Sequence, residues 1–261
     1  MRNARLSVTV ASNSTREVAA AATTDRIGLA RRSLRGRLRI SAAVGVGLAY
    51  VLLTIATMSG LLAPLDEAVI HHVTKISPGL SPGPRTMLEP ADFTTAWSTL
   101  NRALEFPASP AVSVALAAGC CWLLLRQRRW QSAFAWLGVW VAATMIEIAC
   151  KIFLSRPMLD VTVSGVHLQT ATFARSFPSG HVLRAVLIAG AIASLSPRIG
   201  LIAMVWAASL LPFRVWTGAH TPTDVIGGVL MGMAAVAFVY ASARNEVRVT
   251  SPREELLQLV A

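Results

Sequence analysis

"VIGGVLMGMAAVAFVYASA", Val225 to Ala243, runs for 19 residues without a charge. At about 1.5 Å per residue, a helix of that length reaches roughly 28 Å, the depth of a bilayer's hydrocarbon core. Two more stretches are uncharged and as long: Ile40 to Ala63 over 24 residues and Phe106 to Leu125 over 20. Composition agrees, since 54% of the 261 residues are hydrophobic and 14% charged, too apolar for an ordinary soluble domain. The chain reads as an integral membrane protein.

Working outward, three further spans are shorter or carry charge. Trp130 to Leu154 includes Glu147 and Lys151, Ser179 to Pro197 includes His181 and Arg184, and Ile199 to Trp216 includes Arg214. An ionisable group inside a span is costly and marks a functional site by default; the bland alternative is snorkelling from a span end. The predicted fold is therefore all-α and polytopic, a six-helix transmembrane bundle.

Charge predicts its orientation. The formal charge of +11 is uneven: nine arginines precede Ile40, "RQRR" at Arg126 to Arg129 separates the second and third spans, Arg198 separates the fourth and fifth, and Arg244, Arg248 and Arg253 follow the sixth. With six alternating spans all of these fall on one side. The positive-inside rule then puts both termini in the cytoplasm and segments 64–105, 155–178 and 217–224 on the outer face of a plasma or inner membrane. The expected organisation is a basic cytoplasmic tail over 1–39, one membrane domain over 40–243 and a cytoplasmic tail over 244–261, with most of both tails disordered. Such basic tails suit anionic lipid rather than nucleic acid.

The first apolar run lies behind 39 residues and exceeds a signal peptide's apolar region, so it reads as a retained anchor. Cys120, Cys121 and Cys150 all fall within spans and read as small membrane hydrophobes. No zinc or calcium ligand spacing and no cofactor motif is present, and oligomeric state is not legible. The outer segment Pro64 to Glu105 mixes helix-like spacing ("LDEAVIHHV") with a Pro/Gly-rich run ("SPGLSPGPR"), so part of it can lie along the interface.

Three short motifs converge on the outer face. "FPSGH", Phe177 to His181, places Ser179, Gly180 and His181 where a loop feeds the fourth span, so backbone N–H groups of a free helix start can meet a phosphate-like anion. A Pro-Ser-Gly turn capping a helix is the bland reading. "RVWTGAHTPTD" carries Arg214, His220 and Asp224; His and Asp four apart can pair at a turn, leaving one ring nitrogen as a nucleophile. Alone, such a pair is usually structural. "KIFLSRP" carries Lys151 and Arg156 at the outer end of the third span, with Glu147 one helical turn before the lysine, where an internal ion pair is the alternative.

With these three motifs the chain resembles the type 2 phosphatidic acid phosphatase superfamily of membrane lipid phosphatases, whose patterns are KxxxxxxRP, PSGH and SRxxxxxHxxxD. The second is complete. The third differs only at Phe213, where the family has serine. The first departs more: four residues, not six, separate Lys151 from Arg-Pro, and Met158 stands seven after the lysine. Arg156, Arg175 and Arg184 are the candidates for the missing cation, Arg156 first because Pro157 breaks the helix beside it.

The resemblance implies a metal-independent enzyme acting on a lipid phosphate or diphosphate. His220 would attack phosphorus, Asp224 would orient it, and His181 would serve as acid and then base. Lys151, Arg156, Arg214, Ser179 and the Gly180 N–H would hold the phosphoryl oxygens. A phosphotransferase using the same intermediate and a non-catalytic lipid-binding protein are the alternatives. Phosphatidate, diacylglycerol pyrophosphate, phosphatidylglycerophosphate and isoprenyl phosphates or diphosphates all remain possible substrates.

Overall fold

The computed structural model describes residues 38, 40–76, 94–163 and 166–242; both expected tails lie almost wholly outside them. In chain order the elements are α1 (Ile40–Met58), α2 (Ala63–Ile76), α3 (Thr94–Glu105), a 3-10 turn (Phe106–Ala108), α4 (Pro110–Arg126), α5 (Trp130–Phe153), strands β1 (Leu159–Val163) and β2 (Val166–Thr170), α6 (Gly180–Leu195), α7 (Pro197–Trp216) and α8 (Pro222–Ser242).

Four helices, α1, α5, α7 and α8, are long and apolar enough to cross a membrane. A fifth span results if Thr99–Ala108 and Pro110–Arg126, bent by 46°, count as one. The bend falls at Pro107 and Pro110, neither of which can donate an N–H to the preceding turn. The expected sixth span is not established, because α6 has 16 residues, about 24 Å of helix. It is the hub instead: ten of those residues are buried, and α4, α7 and α8 pack around it.

Trp136 and Trp140 of α5, Leu183 and Leu187 of α6, Met231 and Val239 of α8 and Leu124 of α4 share one buried cluster. On the outside, α1 exposes Leu52 and Ile55 and α7 exposes Ile202 and Val205, an apolar surface suited to lipid. Lipid tails are as apolar as these side chains, so association rests on close packing rather than on water exclusion. Small residues provide it at the α6–α8 crossing. A Cβ on Gly228 would lie 2.6 Å from the Ser179 carbonyl oxygen, and one on Gly232 would lie 2.8 Å from the Val186 Cβ.

Not every element is helical. β1 and β2 pair antiparallel from Leu159↔Thr170 to Val163↔Val166, so the all-α expectation is corrected to a mostly helical fold with one hairpin. Its signal lay in β-branched residues on either side of Ser164-Gly165, a two-residue turn pattern. Leu159 buries its side chain with Ile70 of α2 and Phe173, which ties the hairpin to α2.

Candidate active site

Four helix ends meet at one end of the bundle. Lys151 is in the last turn of α5 and Arg214 in the last turn of α7, while Ser179 caps α6 and Asp224 lies in the first turn of α8. His220 sits in the link between α7 and α8, where Gly218 takes φ 65°, a left-handed conformation that costs glycine little. The two motif-bearing helix starts are joined directly, because the Ser179 N–H donates to the Asp224 carbonyl oxygen at 2.9 Å.

Within this cluster the His220 Nδ1 lies 3.4 Å from the Asp224 Oδ2. The same oxygen accepts the Thr221 N–H at 3.0 Å and the Ser176 hydroxyl at 2.5 Å, and the His220 N–H donates to the Arg214 carbonyl at 3.1 Å. Held this way, Nδ1–H points at the carboxylate and Nε2 keeps its lone pair. Burial pushes the His220 ring below the ordinary histidine value, outweighing the opposite pull of Asp224. A neutral imidazole at pH 7 follows. His181 is half-buried, and Arg214, Arg184, His220 and Lys151 all lie near enough to act on it electrostatically.

The internal ion pair of Lys151 with Glu147, the alternative to a phosphate-binding lysine, is present at 2.6 Å, and Arg184 closes on the other Glu147 oxygen at 2.9 Å while its Nε donates to the Ala108 carbonyl. A Cβ on Gly180 would lie 1.9 Å from Glu147 Oε1. That glycine therefore makes room for a carboxylate. Arg214 pairs with Glu105 at the end of α3, and Arg175 is exposed. Three of the expected oxygen-binding groups keep an unpartnered buried donor: Arg156 Nε, Ser179 Oγ and Arg214 Nε.

Arg156, expected on the phosphoryl oxygens, turns into the cluster and meets two carboxylates there. Its Nη2 pairs with Asp66 of α2, and its Nη1 faces Thr221 at 2.9 Å, Thr223 at 3.3 Å and Asp224 Oδ1 at 3.3 Å. The side chain, 2% exposed, thus sits on the Asp224 oxygen opposite the one facing His220. Asp66, Glu105 and Ser176 were missed by sequence reasoning; Ser176 directly precedes "FPSGH", whereas no local spacing connects Asp66 or Glu105 to the motifs.

From Arg184 an apolar groove of about 320 Å³ runs between α4 and α5, lined by Val114, Ala117, Leu137, Trp140 and Val141 among others. The arginine is the charged residue of its wall.

Residues 149–248, which contain all three motifs, match the PAP2 superfamily model, so the resemblance read from the motifs is borne out. Among solved structures the chain is similar to the one described as the first transmembrane PAP2 type phosphatidylglycerolphosphate phosphatase from Bacillus subtilis. The two share 20% identity and a TM-score of 0.54 over 79% of this chain and 98% of that one. At that identity the likeness speaks for the fold. No curated protein matches the chain.

Proposed function

We propose that this protein is a membrane lipid phosphatase that cleaves a phosphomonoester or diphosphate of a lipid through a phosphohistidine on His220. The observation that carries the reading is the buried His220–Asp224 pair at 3.4 Å, set among His181, Lys151 and Arg214. The groove from Arg184 supports a lipid, since its apolar wall suits an acyl or isoprenyl chain and its charged end meets the site.

The neutral His220 Nε2 attacks phosphorus in line with the leaving oxygen. As the N–P bond forms and the P–O bond breaks, His181 gives its proton to the departing alkoxide or phosphate. His181, now neutral, takes a proton from water; the hydroxide attacks phosphorus, the N–P bond breaks, and inorganic phosphate leaves. Asp224 balances the positive charge on the His220 ring throughout. Lys151, the Ser179 hydroxyl, the Gly180 N–H and Arg214 hold the phosphoryl oxygens, cationic donors doing what a metal does in other phosphatases. The active site faces outward and both termini the cytoplasm, on the charge asymmetry of the sequence.

The test is phosphate release by purified protein from phosphatidate, diacylglycerol pyrophosphate, phosphatidylglycerophosphate and isoprenyl phosphates and diphosphates, with and without EDTA. Turnover of at least one should persist in EDTA, vanish in His220→Ala and fall by roughly 10³ or more in Asp224→Asn, in line with the loss when a triad aspartate becomes an amide. A folded His220→Ala protein with near-normal turnover would falsify the phosphohistidine step.

A further inference from the structure

Asp66 is fully buried at the start of α2, far along the chain from every motif. One of its oxygens accepts the Thr223 N–H at 3.0 Å; the other accepts the Thr223 hydroxyl at 2.6 Å and pairs with Arg156. Arg156 in turn bonds Asp224, whose second oxygen faces His220. One guanidinium is therefore shared by two carboxylates. As a unit, Asp66, Arg156 and Asp224 carry one net negative charge against the His220 ring. The other charged or titratable groups acting on that ring are Arg214 and Lys151, both cationic, and His181.

We propose that Asp66 is a positioning residue for His220: by holding Arg156 it leaves Asp224 with a net charge to spend on the imidazolium and phosphohistidine, and it makes Arg156 a buttress of Asp224 instead of a phosphate ligand. The inference rests on the proposed role of His220. Without the Asp66 charge the unit is neutral, and Arg156 draws on Asp224 just where the ring needs it. The altered first motif then has a structural reason. An arginine placed two residues early reaches the Asp66–Asp224 pair, and the phosphate is left to Lys151, Ser179, Gly180 and Arg214.

The test is steady-state kinetics on dioctanoyl phosphatidate in detergent micelles, with thermal unfolding of each variant. Asp66→Asn keeps an acceptor for the Thr223 N–H but removes the charge. It should lower kcat about tenfold, less than the loss expected for Asp224→Asn because it acts through Arg156, with KM within about twofold and the melting midpoint close to wild type. Wild-type kcat, a kcat loss matched by a lost folded fraction, or a rise in KM with kcat unchanged would each overturn the proposal. If Asp66→Asn is not recovered folded, Arg156→Lys decides. This variant keeps the net charge of the unit, so KM should stay within about twofold, whereas a tenfold rise would make Arg156 a phosphate ligand after all. His220→Ala in the same series separates the two readings: turnover surviving there removes the phosphohistidine, while an inactive His220→Ala beside a wild-type-like Asp66→Asn removes this inference alone.

Discussion

Gly180 has no room for a methyl group, because its Cα faces the carboxylate that Lys151 and Arg184 share. Alanine there forces Glu147 aside by more than an ångström and breaks one or both of its ion pairs, leaving a buried charge short of a partner. Gly180→Ala should therefore lose about 1–3 kcal/mol of stability, the usual cost of overpacking, together with most turnover; thermal unfolding and phosphate release in detergent check it. A fully active Gly180→Ala of normal stability would mean that Glu147 sits elsewhere. At this scale the sequence was informative about identity and poor about direction. The spacing of His220 and Asp224, and Lys151 one turn after Glu147, are local and could be read. Asp66 and Glu105 could not, being 157 residues from Thr223 and 109 from Arg214. They decide which way Arg156 and Arg214 point.

Helix ends were legible because they are written in charge and proline. The predicted Trp130–Leu154 and Ile199–Trp216 stretches became Trp130–Phe153 and Pro197–Trp216. The hairpin over 159–170 carried a signal that went unused, since alternation of span and loop assigned that stretch to an outer loop and passed over its β-branched pattern. Nor does hydropathy show that α6 is a short hub, for an apolar helix reads alike whether lipid or protein surrounds it. The crossing of α6 and α8 gives an element-scale prediction. Gly228 lies against the Ser179 carbonyl, beside the bond that joins Ser179 to Asp224. Gly228→Val should push the two helix starts apart and cut kcat/KM by roughly 10² or more, as misplacement by about an ångström does, although no proposed catalytic side chain is altered. Phosphate release at subsaturating substrate reads it, and an unchanged value would show that the helices can separate harmlessly.

Across the whole molecule, the clustered site and the arginine-rich turns lie at opposite ends of the helices. Arg129, at the start of α5, donates to the Ser194 carbonyl near the end of α6, while Lys151 and His181 occupy their other ends. An outward-facing site therefore requires inward-facing arginines. With Cys120, Cys121 and Cys150 replaced by alanine, a cysteine at the exposed Thr172 should react with an impermeant thiol reagent in intact cells. One at the exposed Gln127 should react only after permeabilisation. Reversed labelling would turn the site to the cytoplasm.

The buried pairs also differ in when they can form. Glu147 and Lys151 lie on the same helix, so that anion is matched as soon as α5 exists. The carboxylate of Asp66 belongs to α2, early in the chain, yet it closes on Arg156, Thr223 and the unit around Asp224, whose last members leave the ribosome with α8. A nascent chain that has inserted everything up to α7 still lacks Thr223 and Asp224 from that lock. The proposed site is thus completed only with α8: a chain cut short before it can still pair Asp66 with Arg156, but it leaves Arg156 and His220 without Asp224.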